Sequence, residues 1–145
     1  MIRYALIALL VGLACGQRKD VSFWDCGSKA KVSSIQIEPC DSDPCVLKRG
    51  ETSKVHFKII SDQDTKTVRL TGKFKAWFVW MPIPGFSQDL CKGVFDCPIS
   101  KGEKAEGAMR FSIASYVLPM KTAVEFKISG DEGSSVCVRA NVIIK

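Results

Sequence analysis

The sequence predicts an all-β domain, an immunoglobulin-like β-sandwich of about seven antiparallel strands. Three observations carry that expectation. Apolar residues recur with period two while helical spacing is scarce, turn-forming clusters separate the alternating runs, and six cysteines follow an apolar leader.

The leader comes first. Arg3 precedes an apolar run from Ala5 to Leu13, and Ala14 and Gly16 stand at the minus-three and minus-one positions of a cleavage site. The expected division is a signal peptide over 1–16 and one domain over 17–145. The leader's run is too short to span a bilayer and no later stretch is long enough, so a soluble product is expected. Cys15 falls within the leader and is lost on cleavage; the residues before it fit a lipobox poorly. With Arg3 removed, 20 basic residues face 15 acidic ones, a net charge of +5. The basic residues are scattered among acids with no aromatic-basic stripe, which argues against a nucleic-acid partner.

The strands follow in order. The first is expected around Val21 to Trp24. Ile35 and Ile37 mark the second, and Val55, Phe57 and Ile59 the third. The longest alternation puts Val68, Leu70, Phe74, Ala76, Phe78 and Trp80 on one parity, with Thr67, Arg69, Thr71, Lys73 and Lys75 on the other. Met109, Phe111 and Ile113, then Val124, Phe126 and Ile128, then Val136, Val138, Ala140, Val142 and Ile144 complete the set. Lys48-Arg49-Gly50-Glu51, Ser61-Asp62-Gln63-Asp64 and Gly130-Asp131-Glu132-Gly133 supply turn chemistry between them. Trp77 to Phe86 breaks the rule: both parities are apolar, and the strand is expected to end at Pro82 and Pro84. That stretch reads either as a core strand followed by a proline turn or as the mouth of a ligand cavity.

Cys26, Cys40, Cys45, Cys91, Cys97 and Cys137 allow fifteen pairings. Turn-like segments between Cys40 and Cys45 and between Cys91 and Cys97 rank local closure first. If both close, Cys26 is left with Cys137, a ring worth about 4 to 5 kcal/mol in the chain-entropy model. Zinc is the rival reading, but there is no Cys-x-x-Cys pair and His56 is the only histidine. No metal or other cofactor is expected.

Catalysis has little support. His56 lies on the polar parity of its strand and reads as an exposed histidine, and no Gly-x-Ser-x-Gly elbow accompanies it. Asp41 with Asp43, and Asp131 with Glu132, sit in turns, where acids usually serve local backbone hydrogen bonds rather than glycoside hydrolysis. A non-enzyme is expected.

Read together, Asp25-Cys26-Gly27-Ser28, Pro39-Cys40 with Pro44-Cys45, Lys48-x-Gly50, Pro82-Ile83-Pro84, Cys91-Lys92 with Cys97-Pro98-Ile99, and Val124-Glu125-Phe126 resemble the ML lipid-recognition domain. That superfamily includes the Niemann-Pick type C soluble sterol carriers and the group 2 mite allergens. The resemblance implies disulfides joining Cys26 with Cys137, Cys40 with Cys45, and Cys91 with Cys97. It also implies sheets that splay around an apolar cavity holding a sterol or fatty acid.

Carried over by position, Met81 before Pro82-Ile83-Pro84 lines that pocket, with Val79 two residues earlier and Leu118 before Pro119. Met81 and Leu118 stand where vertebrate sterol carriers tend to have aromatics, which implies an adaptable pocket that also accepts fatty acids. Inward parity adds Val55, Phe57, Val124, Phe126 and Val138 as lipid-binding candidates. Trp80, Ile83 and Phe86 are candidates for the mouth.

The expected function is secreted lipid binding and transfer by a monomer that makes transient membrane or receptor contact. The alternative is a lipid-presenting immune or receptor-interaction module, allergen-like and without a transfer role. Asn141 is the only asparagine and begins no glycosylation sequon, so an extracellular location is expected ahead of the lysosomal lumen.

Overall fold

The computed structural model describes residues 18–145, and the expected leader and its cleavage site lie outside the described residues. Ten strands follow in chain order: β1 (Lys19–Asp20), β2 (Phe23–Asp25), β3 (Lys31–Glu38), β4 (Cys45–Leu47), β5 (Thr52–Ile60), β6 (Arg69–Ala76), β7 (Val79–Asp89), β8 (Lys104–Ser112), β9 (Met120–Gly130) and β10 (Gly133–Ile144). They form two sheets. One has the order β1-β3-β5-β8, the other β2-β10-β9-β6-β7, with β4 added in parallel to the end of β10.

Alternation builds the sandwich because period two places every second side chain on one face. Ile35 and Ile37 of β3, and Val55, Phe57 and Ile59 of β5, are buried and face Val124, Phe126 and Ile128 of β9 and Val136, Val138, Ala140, Val142 and Ile144 of β10. Each such aliphatic or phenyl side chain contributes about 1.5–3 kcal/mol on burial. His56 occupies the outward parity but is only partly exposed, since its Nε2 lies 3.1 Å from Glu38 Oε2 on β3. It is a cross-strand polar contact, not a free surface histidine.

Cys26 bonds to Cys137, Cys40 to Cys45 and Cys91 to Cys97, with Cα separations of 5.0, 5.4 and 5.5 Å. The Cys91–Cys97 loop drives Phe95 into the core, where its ring lies against Gly107 of β8 so closely that a Cβ there would sit 2.8 Å from the ring. With Leu90 and Ile99, also buried, it closes one end of the sandwich.

About seven strands were expected and ten are present among the described residues: β4 had no expected counterpart, and three other elements differ from expectation. The first expected strand is two short ones, β1 and β2, on different sheets. The long alternation through Trp80 is not one strand: it folds back at Trp77-Phe78, where Ala76 pairs with Val79. Finally, β7 does not end at its prolines but runs through them to Asp89. An edge strand can do this because proline's missing N–H disrupts the ladder least where one side has no partner.

Candidate functional site

The edges β7 and β8 belong to different sheets and, among the described residues, are not paired with each other. A groove of about 410 Å³ opens between them, lined by Ile83, Phe86 and Gln88 from β7, Arg110, Phe111 and Ser112 from β8, and Thr52. Behind it stand three aromatic rings. Phe86 and Phe111 are 6.2 Å apart, Phe86 and Phe126 5.8 Å, and Phe111 and Phe126 6.4 Å. Such spacing is the edge-on or tilted packing that phenyl quadrupoles favour.

Backbone geometry on β6 and β7 puts Phe86 there. The pairing of Thr71 with Ser87 is followed by that of Lys73 with Pro82, so the intervening β7 residues bulge opposite Gly72. Phe86 and Ile83 fold over that glycine. A Cβ at Gly72 would lie 2.7 Å from Phe86 Cδ1 and 3.2 Å from Ile83 Cδ1, so the absence of a side chain is what admits both.

Of the residues expected to touch ligand, Val55, Phe57, Val124, Phe126 and Val138 are all buried between the sheets. Val79 and Met81 share the face of Phe74 through the β6–β7 register, but they lie near the hairpin tip and remain 61% and 47% exposed. Leu118 lies in the β8–β9 connection and is also exposed. Of the mouth candidates, Ile83 and Phe86 line the groove. Trp80 instead faces outward beside Lys75, its ring 4.3 Å from the Arg139 guanidinium carbon.

The end of the sandwich beside this groove carries its largest exposed apolar side chains. Trp77 and Phe78 at the β6–β7 tip are each 90% exposed, Tyr116 is 74% and Leu118 71%. Trp77 has a φ of 61°, in the left-handed region that tight hairpin turns normally give to glycine. Arg49 holds the second loop, its Nη1 donating to the carbonyls of Val117 at 3.0 Å and Ser115 at 3.3 Å. Tyr116 and Arg110 were not singled out from the sequence, and Phe111 was expected only as an apolar strand residue. Nothing in local composition places β8 beside β7, because that contact is set by the two sheets together.

Carboxylates occur away from this groove in structural roles. Asp131 accepts hydrogen bonds from the Lys66 N–H at 2.8 Å and from the Thr67 hydroxyl; these, the Lys66 amide foremost, hold its pKa below the ordinary value of 3.8. Asp25 is lowered likewise by the backbone N–H groups of Ser28 and Gly27, both at 2.7 Å. Buried Glu125 is bound by Arg139, with Nε and Nη2 each 3.0 Å from Oε1. It also borders the sulfurs of Cys26 and Cys137, but these are joined in a disulfide and hold no lone thiolate for a metal.

A family model described as the ML domain matches residues 20–144. Mite group 2 allergen Tyr p 2 of Tyrophagus putrescentiae is 34% identical over 142 residues, covering 97% of this chain and 96% of the allergen. NPC intracellular cholesterol transporter 2 of Mus musculus is 30% identical over 135 residues, covering 91% of this chain and 89% of the mouse protein. Among solved structures, a Niemann-Pick type C2 protein from the Japanese carpenter ant is similar with a TM-score of 0.77 at 25% identity, over 86% of this chain and 99% of that one. The match runs from β1 to the end of β10, across both sheets and all three disulfides, and on that ground the chain belongs to the ML domain family.

Proposed function

We propose that this protein carries an apolar ligand, a sterol or a fatty acid, between its two sheets, and that ligand enters through the seam between β7 and β8. The observation that carries this reading is the Phe86–Phe111–Phe126 cluster standing directly behind an open groove. Apolar surface removed from water there contributes about 25 cal/mol per Å² and needs no charged partner. The similarity to a cholesterol transporter from mouse supports the same reading. Val55, Phe57, Val124, Phe126 and Val138 form the wall of the pocket in this scheme, and Val79, Met81 and Leu118 its outer lip. Arg110 and Gln88 at the groove give a fatty-acid carboxylate a polar resting place that a hydrocarbon tail would leave empty.

The exposed aromatic end has a function in the same scheme. Trp and Tyr favour the boundary between water and lipid, so Trp77, Phe78, Tyr116 and Leu118 are suited to touch a membrane while ligand passes through the adjoining seam. The same surface supports a second reading, a lipid-presenting module that seats against a receptor. We take the protein to be a secreted, monomeric non-enzyme, with the lysosomal lumen as the alternative location.

Lipid extraction and mass spectrometry of the oxidised protein, with displacement of a fluorescent sterol and a fluorescent fatty acid, tests the carrier. Bound lipid, or saturable displacement weakened about tenfold or more in Phe86→Ala and Met81→Trp, is expected. An empty protein that binds neither probe overturns it. Ligand exchange between vesicles with no other protein present separates a carrier from a presenting module.

A further inference from the structure

On the outer face of the larger sheet, away from the lipid seam, lies a second groove of about 440 Å³. Its lining includes Trp24, Trp80, Lys75, Lys121, Ala123 and Asn141. That volume falls among small-molecule clefts, about 300–1,000 Å³. We propose that this groove binds an anionic saccharide, a sugar bearing a carboxylate or sulfate.

Trp80 is held by a chain of contacts: its indole lies over the guanidinium of Arg139, and Arg139 is fixed by the buried carboxylate of Glu125. Held in this way against Arg139, the Trp80 side chain also lines the groove. Trp24 is in register with Arg139 on the neighbouring β2 and remains 43% exposed. Two indoles thus flank a floor built from β9 and β10. Strands lie about 4.8 Å apart, so a floor two strands wide matches a sugar ring or two rather than an extended acyl chain.

The polar groups decide the class. The floor presents Ala123, whose small side chain leaves room, and the amide of Asn141, which both donates to and accepts from hydroxyls. Lys75 and Lys121 also line the groove, and among the described residues no carboxylate does. Thr122 donates from its hydroxyl to the Lys75 carbonyl at 2.7 Å. Indole faces stack on the C–H face of a pyranose, the amide reads hydroxyls, and the ammonium groups select negative charge. A neutral hydrocarbon would leave all three polar side chains idle.

The three tryptophans provide the test, because two lie in this groove and Trp77 is at the hairpin tip. A sulfated uronate disaccharide prepared from heparin is titrated into the ¹⁵N-labelled full-length secreted protein while the three indole N–H resonances are followed. The expected result is saturable movement of the Trp24 and Trp80 signals with Trp77 unchanged, weakened about tenfold in Lys121→Glu and in Asn141→Ala. Displacement of a fluorescent fatty acid should be unaltered in both variants, which keeps this site separate from the lipid seam. The proposal is overturned if neither groove signal moves at millimolar disaccharide. It is also overturned if sodium sulfate at equal concentration produces the same shifts, since lysine charge alone would then account for them, or if Trp77 moves in their place.

Discussion

Trp77 combines two costs with no structural return. A left-handed φ on a residue with a Cβ costs about 1–2 kcal/mol, and a 90% exposed indole recovers almost none of it through burial. Glycine would relieve the strain but add disorder to the unfolded chain, about 0.5–1 kcal/mol in the other direction. Trp77→Gly is therefore expected to leave stability unchanged or to raise it by up to about 1.5 kcal/mol in urea denaturation. The same variant should bind phospholipid vesicles more weakly by co-sedimentation. A large loss of stability would show that the indole has a structural role, and undiminished vesicle binding would show that it has no membrane role.

At the scale of elements, the β6–β7 hairpin explains what the sequence could and could not disclose. A two-residue turn keeps the alternation running, so Ala76, Phe78 and Trp80 look like one face of one strand. Ala76 nonetheless pairs with Val79, so the inward set passes from even numbers on β6 to odd numbers over Val79 to Ile83, and returns to even numbers at Phe86 beyond the bulge, where Leu70 pairs with Gln88. Trp80 consequently points outward. The turn holds Trp77 and Phe78 in place of glycine or asparagine, so no turn signal marked it. Strands with one buried face, such as β3 and β5, were legible because period two and burial coincide there. The bulge opposite Gly72 was not, as it depends on which β7 residues arch over β6. Gly72→Ala is expected to displace Phe86 and Ile83, destabilise the fold by about 1–3 kcal/mol and weaken fatty-acid displacement, as read by thermal melting and probe titration.

Across the whole molecule the two ends differ in how they are fastened. One end carries the open seam and the exposed aromatics. The other is tied by polar contacts: Asp131 binds the 66–67 segment, the Glu132 N–H donates to Gln63 Oε1 at 2.9 Å, and Asp25 holds the turn after β2. Both aspartates have folded pKa values below 3.8. Their contribution is therefore fully present above the ordinary carboxylate range and is lost as pH falls through it toward the folded values. The urea midpoint should hold steady from neutrality to about pH 4 and decline below it. The gap between wild type and Asp131→Asn should close over the same interval; a gap that persists unchanged in acid would mean that ionisation of Asp131 contributes nothing.

The prolines within β7 have a consequence for how copies of the protein meet. A sheet margin with all its amides free is a template onto which another chain can add. On β7, Pro82 and Pro84 withdraw two donors, and the arch opposite Gly72 bends the strand out of line. The seam can thus remain open to a small ligand while its border is a poor match for another strand, which separates the admission of cargo from the growth of fibrils.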